Sequence, residues 1–411
     1  MRIENVLASK GFSGFYYDDQ AAIKTHAKHD GFAYSGKPIT LGFRAIRIAG
    51  ESISVILVLD EGRIAYGDCV AVQYSGAAGR DPLFLADDYL PIFREKIAPL
   101  MVGRKIENFR DMAEEFDDLK IGGKRLHTAL RYGITQAILN AVSRKKHIPM
   151  AEVISQEYST KIREEPVPIF AQSGDERYDN ADKMIIKGIQ VLPHGLINNV
   201  DEKLGRRGEK LMEYLSWLRT RVVQLGKPDY NPIFHLDVYG TFGQAFNDDI
   251  EVIAKYIMDL ERISQPFHLR IEGPIDAGSK KGQIKTMRKL RMRLKKIGSK
   301  TEIIADEWCN TLEDIKDFVN EGAADMIQIK APDLGGINNT IEAILFCKKN
   351  DVGAHLGGSC NETDRSARIC AHIALATGPA QILAKPGMGV DEAVMLINNE
   401  MQRTLTIIKN R

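Results

Sequence analysis

The chain has 411 residues, of which 44% are hydrophobic and 27% are charged, so it can form two or three domains with a large buried core and is not disordered. Its 56 lysine and arginine residues balance 55 aspartate and glutamate residues, which leaves a formal net charge of +1. This balance excludes the overall positive field of proteins that bind nucleic acid or anionic membranes.

The cysteines and the N-terminus favour a cytoplasmic protein. Five cysteines form an odd set with no C-x-x-C pair, which argues against a disulfide framework and against a thiolate zinc site. Glu4 lies too early for a signal peptide, and the longest apolar run, residues 53–59, is about a third of a membrane span. We therefore expect no membrane partner and no nucleic-acid partner.

Residues 1–160 are predicted to form an α+β capping domain. Turn residues at Gly50-Glu51 and Asp60-Glu61-Gly62 separate three β-rich runs, a pattern typical of an antiparallel meander. Three stretches with helical periodicity follow. The β-rich runs are residues 43–48, 52–59 and 63–72, and the helical stretches are residues 82–101, 108–119 and 127–145.

Residues 161–411 are predicted to form a (β/α)8 barrel. After a charged linker at 161–166, short apolar runs alternate with amphipathic helices, and eight runs in about 245 residues match the size of a barrel. The first two runs are only about ten residues apart, so we expect a modified barrel with a degenerate first unit; a doubly wound sheet is the alternative. The eight runs are residues 167–172, 183–187, 233–238, 268–272, 302–306, 326–330, 353–356 and 381–384.

The residues that close four successive runs carry the candidate chemistry, because barrels place active sites at the carboxyl ends of their strands. Runs three to five end at Asp237, Glu272 and Asp306, and run six ends at Lys330. Each carboxylate alone could be a helix cap or a salt-bridge partner. Three converging carboxylates repel one another unless a cation lies between them, and oxygen donors without Cys or His favour Mg2+ over Zn2+.

This ordered series resembles the enolase superfamily, whose members pair an α+β cap with a barrel and hold Mg2+ on acidic residues at the ends of the third, fourth and fifth strands. Many members carry a base in a Lys-x-Lys on the second strand, which residues 183–188 lack, so Lys330 is the remaining candidate. Six segments resemble the methylaspartate ammonia-lyase family in particular. They are QYSG at 73–76, FAQSGD at 170–175, VLPH at 191–194, IQIK at 327–330, GGSCNET at 357–363 and KPGMG at 385–389.

The resemblance implies reversible elimination of ammonia from (2S,3S)-3-methylaspartate to give mesaconate, a step of glutamate fermentation. Mg2+ on the three carboxylates would stabilise an enediolate, and Lys330 would remove the C3 proton if the nearby cation lowers its pKa towards neutrality. His194 would act on the opposite face and on the 3R epimer, although a lone histidine is more often structural. A homodimer is also implied, and we expect activation by a monovalent cation such as K+.

The substrate contacts implied by the resemblance include three glutamines, whose neutral amides hold carboxylates without adding charge. Where the family pattern has Thr and a phenol, this chain has Ser359 and His355. We therefore expect a different polarity and fit around the substrate methyl group. The predicted contacts are Gln73 from the cap and Gln172, His194, Gln328, Ser359, Cys360, Phe170, His355 and Leu383 from the barrel.

Other functions stay open on the sequence. An electrophilic group cyclised from Ala-Ser-Gly would need alanine where Gln172 precedes Ser173-Gly174, and it would leave the carboxylate series unexplained. Another lyase, dehydratase, cycloisomerase or epimerase of the superfamily would keep the same fold. A barrel that binds a dicarboxylate without catalysis would not need Lys330. Cys360 is predicted to be a contact residue, because no histidine pair beside it activates the thiol.

Overall fold

The structure is a computed structural model that describes residues 1–411, and its N-terminal part is a layer of antiparallel strands and helices. A 3-10 turn, Asp60–Gly62, joins β4 to β5, and a π-helical turn, Phe93–Ile97, joins α2 to α3. The elements of this cap are β1 (Ile3–Asp18), α1 (Gln20–Thr25), β2 (Lys28–Asp30), β3 (Ala33–Ser35), β4 (Arg47–Leu59), β5 (Ile64–Cys69), α2 (Ala86–Ile92), α3 (Ala98–Met101), α4 (Phe109–Asp117), β6 (Lys120–Ile121), β7 (Lys124–Arg125), α5 (Thr128–Lys146) and α6 (Met150–Tyr158).

The capping sheet has the strand order β1-β4-β5 and is antiparallel throughout. β1 has no counterpart among the predicted strands, because much of it is exposed and polar. The predicted run 52–59 lies within β4, whereas of the predicted run 43–48 only residues 47 and 48 belong to a strand, which is also β4. The turn predicted at Gly50-Glu51 is wrong, since Glu51 pairs with Phe12 of β1. The turn at Asp60–Gly62 is confirmed.

Helix α5 connects the cap to the rest of the molecule. It is the helix predicted at 127–145, and 14 of its 19 residues are buried. On one side it packs against β4 and β5, where a Cβ atom at Gly133 would lie 2.5 Å from the backbone nitrogen of Cys69. A side chain at position 133 would therefore force the helix away from the sheet.

The second part of the chain is a closed barrel of eight parallel strands surrounded by helices. The sheet closes because the last strand pairs with the first, which confirms the barrel and excludes a doubly wound sheet. Its elements are β8 (Ile169–Phe170), α7 (Arg177–Lys187), β9 (Val191–His194), α8 (Glu209–Leu225), β10 (Ile233–Asp237), α9 (Thr241–Ala245), α10 (Ile250–Ser264), β11 (Leu269–Glu272), α11 (Lys280–Lys296), β12 (Glu302–Ala305), α12 (Leu312–Asn320), β13 (Met326–Ile329), α13 (Ala331–Leu334), α14 (Ile337–Lys349), β14 (Gly353–Leu356), α15 (Asp364–Thr377), β15 (Gln381–Leu383) and α16 (Asp391–Lys409).

The predicted second strand is wrong. Residues 183–187 end helix α7, whose buried face includes Met184 and Ile185 while Ile186 is 67% exposed. Gly188 ends the helix in the left-handed conformation, at φ 68°. α7 is thus a crossover helix, so the first unit is not degenerate. The true second strand is β9, which places His194 at its carboxyl end.

One hydrophobic core of 106 buried residues runs through both parts of the chain. Helix α5 also contacts α13, α14 and α15 of the barrel, so the core has no break between cap and barrel. Because the core is continuous, it does not mark a domain boundary, and the boundary predicted at residue 160 stays a prediction. No helix combines the length and the apolar character needed to cross a bilayer.

Candidate active site

One cavity lies at the carboxyl ends of the barrel strands, beneath the cap. It contains about 590 Å³ of space, including the part that is open to solvent. Its wall contains every predicted site residue except His355. The lining residues are Val72, Gln73, Tyr74, Arg80, Phe170, Gln172, His194, Asp237, Tyr239, Glu272, Asp306, Glu307, Gln328, Lys330, Gly358, Ser359, Cys360, Leu383 and Met388.

Three carboxylates converge on the floor of this cavity. Asp237 ends β10, Glu272 ends β11 and Asp306 follows β12. One oxygen of each lies within 4.8 Å of the others, and all three residues are buried. Burial, together with the charges of Asp237 and Asp306, raises the pKa of Glu272 well above its usual range. Burial also raises the pKa of Asp306 to about 6. The cluster fits a hard divalent cation, which would offset the charge that burial disfavours.

Lys330 follows β13 and contacts this cluster directly. Its Nζ lies 2.6 Å from Oδ1 of Asp306. Burial alone would lower the pKa of Lys330, but the carboxylates of Asp306 and Glu307 outweigh burial and raise it. The expected pKa near neutrality is therefore not produced by these side chains alone. It requires positive charge that offsets the carboxylates.

His194 lies on the other side of the barrel from Lys330. β9 and β13 are four strands apart in a closed ring of eight, so their ends face each other across the cavity. Nε2 of His194 is 3.2 Å from the Tyr239 hydroxyl and 3.6 Å from Oδ2 of Asp237. Its backbone has φ 72°, an uncommon value for a residue other than glycine. The two candidate bases thus flank the space above the carboxylates.

Amide groups provide donors and acceptors around this space. Gln328 donates from Nε2 to the Glu272 carboxylate. Gln328 Oε1 and Gln172 Nε2 are buried and have no hydrogen-bond partner. A buried amide group without a partner is costly, so both atoms are available to a ligand in the cavity.

The loop after β14 brings Ser359 and Cys360 into the cavity. Ser359 donates its backbone N–H to Glu362 at 3.1 Å, and Glu362 forms a fully buried ion pair of 2.7 Å with Lys385. Lys385 also donates to the Gly357 carbonyl at 2.6 Å. This buried pair fixes the shape of the loop from below.

His355 lies beneath the cavity. It is fully buried on β14, with Nδ1 3.9 Å from Oε2 of Glu272, and its ring centroid is 5.2 Å from that of Phe170. Nε2 of His235, from β10, is 2.7 Å from the same Glu272 oxygen. His235 therefore supports the Glu272 side chain from below, whereas neither ring nitrogen of His355 has a hydrogen-bond partner. Phe170 and Leu383 reach the cavity wall.

Two ionic residues of the cavity wall, Arg80 and Glu307, were not predicted. Arg80, from the cap, donates to Glu307 at 2.9 Å and to Asp333 at 2.8 Å. Although burial opposes ionisation, Arg80 and Lys330 lower the pKa of Glu307 to about 2. These partners are more than 200 positions away from Arg80 along the chain, so no local pattern relates them.

Replacing Cys360 with alanine is expected to lower kcat/KM by no more than about fivefold, because one weak hydrogen bond is lost and no acid or base is removed. Burial raises the pKa of the Cys360 thiol to about 12, which keeps it protonated and a poor nucleophile. Its Sγ donates to Oε1 of Gln73 at 3.4 Å. The measurement is steady-state kinetics beside wild type, and mass spectrometry that trapped a substrate thioether on Cys360 would contradict the contact role.

An eight-stranded parallel barrel with three carboxylates and a lysine at the ends of successive strands, under a cap that lines the same cavity, has an enolase-like architecture. The muconate lactonizing enzyme of Pseudomonas fluorescens shares this fold, with a TM-score of 0.61 at 18% identity over 92% of this chain and 86% of that chain. Two family models match the sequence more closely. They are described as methylaspartate ammonia-lyase N-terminus, over residues 1–159, and methylaspartate ammonia-lyase C-terminus, over residues 161–410. The chain belongs to the methylaspartate ammonia-lyase family.

Relatives of this family resemble the chain over its whole length. The methylaspartate ammonia-lyase of Clostridium tetanomorphum is 57% identical over 412 residues, covering 100% of both chains. The structure of β-methylaspartase from that organism, a Mg complex, superposes with a TM-score of 0.96 and covers 100% of both chains. The Citrobacter amalonaticus methylaspartate ammonia-lyase containing (2S,3S)-3-methylaspartic acid superposes with a TM-score of 0.98 at 50% identity, again over 100% of both chains.

Proposed function

We propose that this chain catalyses the reversible, Mg2+-dependent elimination of ammonia from (2S,3S)-3-methylaspartate to give mesaconate. The observation that carries the proposal is the buried cluster of Asp237, Glu272 and Asp306, with Lys330 beside it and His194 opposite. Relatives that cover the whole chain support it, since one was solved as a Mg complex and another with (2S,3S)-3-methylaspartic acid.

The three carboxylates are the residues that would hold Mg2+. They are buried, their oxygens are close together, and the pKa values of Glu272 and Asp306 are raised, as expected of a ligand set that binds a cation. When bound, Mg2+ offsets the negative charge that builds on the substrate carboxylate next to C3. The site is therefore built for an acid whose reacting carbon is adjacent to a carboxylate.

The side chains of the protein handle the proton and the orientation of the substrate. Lys330, in its neutral form, takes the C3 proton, and the C–H electron pair moves towards the adjacent carboxylate. That electron pair then forms the C2=C3 double bond, and ammonia leaves with the C–N electron pair. His194 faces the opposite side of C3 and would serve the 3R epimer. The free Nε2 of Gln172 would donate to a substrate carboxylate, and the free Oε1 of Gln328 would accept from a donor such as the substrate ammonium group. Cap residues cover the cavity and limit the access of water.

An assay for the unsaturated product tests this function. Mesaconate is a conjugated dicarboxylate, so ultraviolet absorbance should rise when the chain is incubated with 3-methylaspartate and Mg2+. No rise is expected with the matched hydroxy acid, 3-methylmalate, because it lacks the amino group. Turnover of a different carboxylate alone would favour another reaction of the superfamily, and binding without turnover would favour a non-catalytic barrel.

We also propose a homodimer, a cytoplasmic location and activation by a monovalent cation such as K+, as the family resemblance implies.

A further inference from the structure

We propose that Asp18 is a positioning residue that fixes the side chain of Gln73 with its carbonyl oxygen towards the cavity. The inference rests on the proposed function, because it concerns how the cap distinguishes the amino group of the substrate from its carboxylates. Gln73 lines the cavity, whereas Asp18 does not, so Asp18 acts through Gln73.

Asp18 and Gln73 are joined by side-chain and backbone hydrogen bonds. Asp18 ends β1, and Gln73 lies in the loop after β5. Nε2 of Gln73 donates to Oδ2 of Asp18 at 2.7 Å, and the backbone N–H of Asp18 donates to the Gln73 carbonyl at 3.1 Å. The two residues are only 2% and 7% exposed, so water does not replace these contacts.

Arg47 holds the Asp18 carboxylate in place. Its Nε and Nη2 donate to the two Asp18 oxygens, each at 2.7 Å. The guanidinium is itself enclosed by the cap hairpin, since Nη1 donates to the Phe32 carbonyl at 2.8 Å and the Phe32 and Tyr34 ring centroids lie 4.5 and 4.9 Å away. This two-pronged ion pair leaves Asp18 little freedom to rotate.

The chemistry of this pair determines how the Gln73 amide is turned. A carboxylate paired with arginine only accepts hydrogen bonds, so the NH2 group of Gln73 must face Asp18. Oε1 then points the other way, where it accepts from Sγ of Cys360 at 3.4 Å. The cap therefore presents an acceptor to the cavity, while Gln172 on the barrel offers a free Nε2 donor.

This polarity matches a substrate with one ammonium group and two carboxylates. An acceptor at the cap binds the ammonium group, whereas an NH2 group at the same position would oppose it. If Gln73 were free to turn, part of the protein would present the wrong group. Asp18 thus sets the orientation of the substrate without touching it.

Four variants separate positioning from a general structural role. They are Asp18→Asn, Gln73→Ala, the double variant, and Asp19→Asn. Asp19 is the matched control, because it is a buried carboxylate in the same segment that accepts from the Thr40 N–H and hydroxyl at 2.9 and 2.6 Å and does not contact Gln73.

Asp18→Asn is expected to lower kcat/KM for 3-methylaspartate roughly 10- to 100-fold, since asparagine accepts either orientation of Gln73 and a hydrogen bond to a charged group is weakened. In the Gln73→Ala background the same change should have less than about a twofold effect. Asp19→Asn should lower the unfolding temperature but change kcat/KM by less than about twofold. Equal losses from Asp18→Asn in both backgrounds would overturn the inference. If Asp18→Asn does not fold, Arg47→Lys, which keeps the charge but loses the two-pronged contact, gives the same comparison.

Two measurements do not depend on turnover. Calorimetry in a Lys330→Ala background, where turnover is slow, should show that Asp18→Asn weakens binding of 3-methylaspartate about tenfold or more. Mesaconate affinity should change by less than about twofold, because mesaconate has no ammonium group. In NMR spectra of protein labelled with 15N-glutamine, the side-chain NH2 signals of Gln73 are those that disappear in Gln73→Ala. These signals should move in Asp18→Asn and stay in place in Asp19→Asn. If the Gln73 signals do not move in Asp18→Asn, the inference is overturned, whether or not wild type turns over 3-methylaspartate. If wild type does not turn over 3-methylaspartate, only the proposed function is overturned.

Discussion

Lys330→Ala is expected to lower kcat for (2S,3S)-3-methylaspartate by about two to four orders of magnitude, the usual cost of losing a general base. His194→Ala is expected to remove most activity on the (2S,3R) epimer and to retain part of the natural reaction. The reason is geometric, since the two side chains come from strands four apart in the ring of eight and reach C3 from opposite sides. Steady-state kinetics on both epimers measure the two effects separately.

Exchange of the C3 proton in D2O provides the control for this pair of variants. Deuterium should enter C3 of recovered substrate only when the base that faces that proton is present. Circular dichroism and Mg2+ binding must show that both variants keep the wild-type fold and metal site. If folded variants lose both epimers equally, the assignment of two bases is wrong, and His194 organises the site through Tyr239 and Asp237 instead.

Removing the metal is expected to abolish turnover, and adding Mg2+ back should restore it. Asp237→Asn, Glu272→Gln and Asp306→Asn should each weaken Mg2+ binding by more than about tenfold, because each replaces a charged ligand with a neutral one. Glu272→Gln should have the largest effect, since Glu272 is also held by His235 and Gln328. Calorimetry of Mg2+ binding and elemental analysis read out the metal without relying on activity.

Glu307→Gln is the matched control for the metal ligands. Glu307 follows Asp306 and lines the same cavity, but its carboxylate pairs with Arg80 and is not part of the cluster of three. Its Mg2+ stoichiometry should therefore equal that of wild type. Full turnover in excess EDTA, with no metal found by elemental analysis, would refute the metal requirement.

The barrel and its carboxylates could be predicted because each depends on a local pattern. A run of apolar residues that ends in Asp237 or Glu272 marks both a strand and the position of its last side chain, and parallel strands then bring those ends together. The second strand could not be located in this way, because Met184, Ile185 and Ile186 form an apolar run that is equally compatible with one turn of a helix. Strand β1 was hidden by its exposed polar face.

The layers within the barrel limit what the sequence reveals about the site. Side chains two residues apart on a strand point to the same side, so His355 lies one layer below Gly357, and His235 lies one layer below Asp237. A residue near the end of a strand can therefore contact a side chain of the site, as His235 contacts Glu272, without reaching the cavity itself. Contacts such as Arg80 with Asp333 and Gln73 with Asp18 depend on how distant segments meet, and no spacing along the chain encodes them.

The burial of helix α5 limits how members of this family can exchange parts. A hybrid that joined the cap of one relative to the barrel of another at the linker would place this helix between a sheet and helices that had not evolved together. One face allows no Cβ at Gly133, and another supplies the Tyr132 hydroxyl to Glu362, beneath the loop that follows β14. Cap and barrel thus share one packing unit, and an exchange of either part would have to preserve both faces of this helix.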